Sequence, residues 1–121
     1  MNVVYVQATT KDSVVRDRLA VFYANLMSEG LTYNFPILDE NDRNMALIRC
    51  PELRGIVNTH PLTPDDIAIW TEWSGSDEID AFFRGPKHAQ FTSFANATLD
   101  RAIYRIIQYR DGHVRQRVYP G

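Results

Sequence analysis

The groups in this chain that can exchange a proton near neutral pH are His60, His88 and His113. They lie far apart, without the His-x-His or His-x3-His spacing that brings two imidazoles onto one metal, so a metal site has little support. Cys50 is the only cysteine, which leaves no intrachain disulfide and no cysteine-based metal site. There is no Gly-rich phosphate loop, and no Ser/His/Asp set can be argued. What is left is acid–base chemistry by a histidine beside aromatic and amide groups. His60 closes "LRGIVNTH", and an imidazole with an ordinary pKa of ~6.5 suits a general base, because burial favours its neutral form. "IAIWTEW" (67–73) ends in Trp70, Glu72 and Trp73. An indole N–H there, or the amide of Gln7, can donate a hydrogen bond to a substrate oxygen. Each of these residues also has a purely structural use, as packing or as a satisfied hydrogen-bonding group.

These side chains must be held by elements that the hydrophobic pattern outlines. "NVVYVQA" (2–8) is a valine-rich strand, with Tyr5 and Gln7 on one face. Residues 9–30 form an amphipathic helix with Val15, Leu19, Phe22 and Leu26 on one stripe, Thr10 or Asp12 as its cap and Gly30 at its end. Pro36 excludes a central strand from 31–43, so a loop carrying Tyr33 and Phe35 is expected over the body, where it can serve as a lid. A short helix starts at Asp39 and ends before Pro51. The second strand is read at 53–60, placing Asn58 with His60, and the third at 67–73. "PLTPDD" turns the two into a hairpin. On the third strand Ile69, Thr71 and Trp73 share one face, and Ala68, Trp70 and Glu72 the other. A helix capped by Ser74 or Ser76 buries Ile79, Phe82 and Phe83. Pro86 then opens another helical turn, with His88, Phe91, Phe94, Ala95 and Leu99 on one side. A fourth strand at 101–110 is followed by Asp111-Gly112 turn chemistry, after which "HVRQRVY" forms a fifth strand or an arm.

The order β-α-β-β-α-β predicts an α+β, ferredoxin-like domain over 1–121, a four-stranded antiparallel sheet with helices on one face. The other face, carrying Tyr, Ile and Trp side chains, is too apolar to meet water, so a homodimer is expected to close over it. With 121 residues, 45% hydrophobic and 23% charged, the chain has room for one core. A net charge of −2 removes any general reason to expect nucleic acid or an anionic membrane as partner. There is no apolar stretch long enough to span a bilayer and no signal-peptide pattern at the N-terminus, so a cytoplasmic location is expected. Residues 39–80 hold ten carboxylates against three arginines, whereas 101–121 hold five arginines against Asp111. These surfaces of opposite sign face one another, or the C-terminal arginines attract an anionic ligand.

A strand ending in "TEW", a serine-containing turn and "DEIDAFFRGPKHAQF" resemble the antibiotic biosynthesis monooxygenase family of dimeric α/β barrels. Gly85, Pro86, Lys87, His88 and Phe91 match that family's stretch after the third strand, and "RCPELRGIVNTH" resembles its helix end and second strand. The chain departs from the family at Phe82, where a histidine is common, and in a longer 30–48 region. Thr92 stands where the heme-degrading members carry their iron-ligating histidine, which disfavours heme. The resemblance implies that Trp73 is the cavity tryptophan, with a histidine near His60 and a polar side chain near Gln7 as its partners. Tyr5, Asn58, Ile69 and Thr71 on the same faces, with Tyr33 and Phe91, would bind the substrate.

The function so implied is a cofactor-independent monooxygenase acting with dioxygen on a small aromatic, polyketide-like anthrone or quinol. Such a phenol has an acidified C–H, and its enolate can reduce dioxygen directly, so the chemistry requires neither metal nor flavin. The protein supplies an apolar pocket, a base, donors for the oxyanion and exclusion of water. An isomerase or cyclase on the same barrel and a non-catalytic ligand-binding accessory protein are the alternatives.

Overall fold

The computed structural model describes residues 1–26, 33–98 and 103–119, with Gly30, Leu99 and the start of the expected fourth strand outside them. Among the described residues five strands and five α-helices follow one another: β1 (Asn2–Thr9), α1 (Ser13–Leu26), β2 (Tyr33–Ile37), α2 (Glu40–Arg49), α3 (Arg54–Val57), β3 (Asp66–Trp73), α4 (Ser76–Phe83), α5 (Pro86–Thr98), β4 (Ile103–Arg110) and β5 (His113–Tyr119). A 3-10 turn at Pro51–Leu53 leads into α3. The strands form one antiparallel sheet in the order β2-β3-β1-β4-β5. The domain is therefore α+β with a five-stranded sheet, one strand more than the sequence pattern predicts.

Local chemistry accounts for several boundaries. Asp12 caps α1 by accepting from the Val15 amide at 2.9 Å, and Asp39 caps α2 by accepting from Asp42 at 2.8 Å. α4 is capped by Gly75 instead of a serine, and Ser74 donates to Glu78. The β4–β5 hairpin turns through Asp111 (φ 52°) and Gly112 (φ 82°), both in the left-handed region that two-residue hairpins require.

Two segments differ from expectation, and they alter the architecture. "YNFPI" is a strand and not a loop. It lies at the sheet edge, where Pro36, paired with Ile69, withholds no interior hydrogen bond. In "LRGIVNTH" residues 53–57 are helical and 58–60 turn, and no strand forms. Leu53 and Val57 are fully buried and Ile56 is half-buried, a spacing of three and four that suits one helical face. β3 consequently pairs with β2 and β1, and the expected 53–60/67–73 hairpin does not form.

The α2–α3 unit lies on the sheet face that carries Val3, Tyr5, Trp70 and Ile107. Ala46, Leu47, Cys50, Leu53 and Val57 complete that core. Full burial of each leucine there contributes ~1.5–3 kcal/mol. Helices thus cover both faces, and β3 is buried at all eight positions. The sheet face expected to recruit a second copy is covered by the chain's own residues; among the described residues Val114 and Val118 of β5 are exposed on it, and Met45 and Ile48 on the covering helix α2 are exposed as well. On the opposite face α1, α4 and α5 pack against Val4, Ala8, Ile67, Ile69 and Trp73. Among the described residues no helix is long and apolar enough to cross a membrane.

Candidate functional site

Strand alternation on β3 separates its two tryptophans. Trp70 lies in the core beneath α2–α3, at 6.4 Å and edge-on to Tyr5, and its indole N–H donates to Glu72 at 2.8 Å. Burial alone would raise the Glu72 carboxyl, but hydrogen bonds from Arg49 and Trp70 outweigh it and hold the group below its ordinary value. Glu72 is thus an ionised structural partner.

Trp73 faces a cavity of about 570 Å³ between the sheet and the other helix layer. Ile69, Thr71 and Phe91, expected to bind substrate, line the same space. Val4, Val6 and Ile106 form its floor, and α4 and α5 contribute Phe82, Phe83 and His88. The Trp73 ring sits 5.2 Å from that of Phe82, and His88 meets Phe82 and Phe83 edge-on at 5.7 and 4.9 Å. Trp73 N–H donates to the Thr71 hydroxyl at 2.9 Å, which in turn donates to the Val4 carbonyl at 3.2 Å.

Two groups here have the chemistry of a proton-transfer site. Burial lowers the His88 pKa below its ordinary 6.5, partly opposed by a hydrogen bond to the Phe83 main chain, so the ring is neutral at pH 7. Tyr23 is buried and its hydroxyl has no hydrogen-bond partner, an arrangement that a ligand oxygen would relieve. Burial also raises its pKa, which keeps it a donor. Gln108, Arg110, Arg117 and Asp80 line the rest. Arg110 is held by Ser76 and by Asp80 at 2.9 Å.

The remaining expected site residues are elsewhere. Gln7 and Tyr5 point to the α2–α3 side. Gln7 accepts from Tyr5 at 2.7 Å and from Arg43 at 3.2 Å, and donates to Pro61 and Asp66 at 3.2 Å each. Its amide is committed to joining the sheet to the inserted unit. His60 follows α3 in a bend, half-buried on that same side. Its carbonyl accepts from Arg43 at 2.6 Å, while burial and the charges of Arg105 and Arg43 lower its ring pKa. Asn58 is the exposed C-cap of α3. Tyr33 pairs with Glu72 through its backbone in β2, and its side chain lies outside what is described. His60 and Trp73 therefore do not meet. The separation follows from the helical 53–57 segment, because a loop residue has no strand face to share.

A shallower groove of about 540 Å³ between α1 and α5 is lined by Val14, Val21, Phe22 and Phe94 with Asp17, Arg18 and Asn25. It carries no histidine, cysteine or tyrosine, so the cavity at Trp73 is the chemically competent one. Among the described residues no three His, Cys, Asp or Glu side chains are grouped as metal ligands would be. Sequence reasoning missed Tyr23 and Gln108, took Arg110 only as one of the C-terminal arginines that attract an anion, and gave His88 mainly a capping or packing role. The signal for His88 was its spacing of three from Phe91 on one helical face. Compared with protein-family models the sequence matches none, and no curated protein matches it either.

Proposed function

We propose that the protein binds a small, flat aromatic molecule in the cavity at Trp73 and oxidises it with dioxygen, with His88 as the base. One observation carries this reading: a half-buried, neutral imidazole lines an aromatic-walled cavity together with Tyr23, a buried tyrosine whose hydroxyl has no partner. His88 takes a proton from the acidified C–H of an anthrone-type substrate, and Tyr23 donates to the enolate oxygen. The enolate passes one electron to dioxygen and recombines with it at carbon as a peroxide. Cleavage of the O–O bond with loss of the second C–H proton yields the quinone and one water. Dioxygen takes up four electrons and the CH2 carbon gives up four. A positioned base is worth ~10²–10⁴-fold in such a step.

The fold supports the same direction. The first four strands, in the order β2-β3-β1-β4 with α1 and α5 on one face, are compatible with a ferredoxin-like plan, to which α2–α3 and β5 are additions. That plan belongs to the monooxygenase family that "TEW" and "GPKHAQF" resemble. Dioxygen consumption with 1,8-dihydroxyanthrone tests the proposal. Turnover should be lost in His88→Ala and kept within about twofold in His60→Ala, since the His60 ring lies across the sheet. Absence of dioxygen uptake, or loss of turnover in His60→Ala alone, would sink it. Proton exchange at the substrate carbon without dioxygen uptake would instead favour an isomerase using the same imidazole.

A further inference from the structure

Two donors at the β3 end of the cavity are spent inside the protein. The Trp73 indole N–H goes to Thr71 at 2.9 Å, and the Thr71 hydroxyl to the Val4 carbonyl at 3.2 Å. Gln108 of β4 lines the same cavity, and the register runs Thr71–Val4–Gln108 across the sheet. Two strand spacings, about 10 Å, separate it from Thr71. Its Oε1 accepts from Arg110 Nη1 at 3.3 Å. Arg110 is itself fixed, for it is 8% exposed and its Nε donates to the Ser76 hydroxyl at 2.9 Å. Its Nη2 donates to Asp80 at 2.9 Å and to the Ser76 carbonyl at 3.0 Å. A guanidinium has donors only, so the oxygen end of the Gln108 amide is the end that can face it. The amide nitrogen is then the end offered to the cavity, and Asp80 offsets the charge of the arginine behind it. Such a group matches a neutral acceptor oxygen.

We propose that Gln108 is a specificity-determining residue of this cavity, its Nε2 donating to a carbonyl oxygen that the ligand carries over β4 while its ring system lies among Trp73, Phe82 and Phe91. This rests on the reading that the cavity at Trp73 is the binding site, and adds to it a polar anchor at the β4 end.

Calorimetric titration at pH 7.5 with two probes of equal size tests it: 2-acetonaphthone, whose carbonyl only accepts, and 2-naphthamide, which accepts and donates. Gln108→Glu keeps the side-chain length and an acceptor for Arg110 but offers the cavity no donor. In that variant 2-acetonaphthone should bind about fivefold to tenfold more weakly, the loss of one hydrogen bond. 2-Naphthamide, which can turn its NH2 group to the carboxylate, should stay within about twofold of its native Kd. Gln108→Leu removes both ends of the amide and should weaken both probes by about fivefold to tenfold. An equal change for both probes in Gln108→Glu, or full affinity of both in Gln108→Leu, overturns the inference and leaves the cavity reading in place. Failure of both probes to bind the native protein overturns the two together.

Discussion

Arg43 is the group whose loss the fold should tolerate least. It is 2% exposed, yet its guanidinium reaches Gln7 at 3.2 Å, the His60 carbonyl at 2.6 Å and the Glu40 carboxylate at 3.1 Å. These contacts tie α2, the segment after α3 and β1 into one unit over the Tyr5 face. In Arg43→Met the methylenes are roughly kept, while the Gln7 and His60 acceptors lose a charged donor inside the protein. Each such bond is worth ~1.5–3 kcal/mol, and the half-exposed Glu40 adds little. The expected destabilisation is ~3–5 kcal/mol, as for breaking a buried charged pair. Urea denaturation reads it directly: with a slope of ~1–3 kcal/mol/M, the midpoint should fall by ~1–5 M. 2-Naphthamide affinity of the folded protein should stay unchanged, because the cavity is on the opposite face. A loss under ~1 kcal/mol would refute the clamp, since it would mean that Gln7 and His60 find other partners at no cost.

Other consequences follow from the same geometry. His60 and His88 both have lowered folded pKa values, so the unfolded chain binds protons first as pH falls through the ordinary imidazole value of 6.5. Stability should decline from pH 7.5 to 5.5, and the urea midpoints of His60→Asn/His88→Asn should show a weaker decline. Val6→Phe, which adds a ring to the cavity floor, should weaken 2-naphthamide binding by at least about tenfold while the melting temperature stays within a few degrees. Gly112→Ala forces a side chain into positive φ and should cost ~1 kcal/mol in urea denaturation.

How far the site could be read from sequence depended on the element that held each residue. β3 is a true strand, so alternation correctly put Ile69, Thr71 and Trp73 together and Trp70 and Glu72 opposite. The Asp12 cap, one of two candidates with Thr10, the helix start at Asp39 and the Asp111-Gly112 turn were legible because their chemistry is local. "LRGIVNTH" was not, since a short apolar run fits either period and only tertiary packing decides between them. That one misreading carried His60 and Asn58 onto a strand face neither occupies. Pro36 told against an interior strand, but whether the segment forms an edge depends on which strand is outermost, a property of the whole sheet. The cover supplied by α2–α3 was hidden for the same reason, and with it the fate of the Tyr5 and Gln7 face.

The two indole N–H groups provide the most direct test, since they lie on opposite sides of the sheet. Trp70 donates to Glu72 beneath α2–α3, and Trp73 donates to Thr71 at the cavity. In proton–nitrogen NMR spectra, with Trp70→Phe to assign the two signals, saturating 2-naphthamide should shift the Trp73 indole resonance and leave that of Trp70 in place. A shift of Trp70 with Trp73 unmoved would contradict the account.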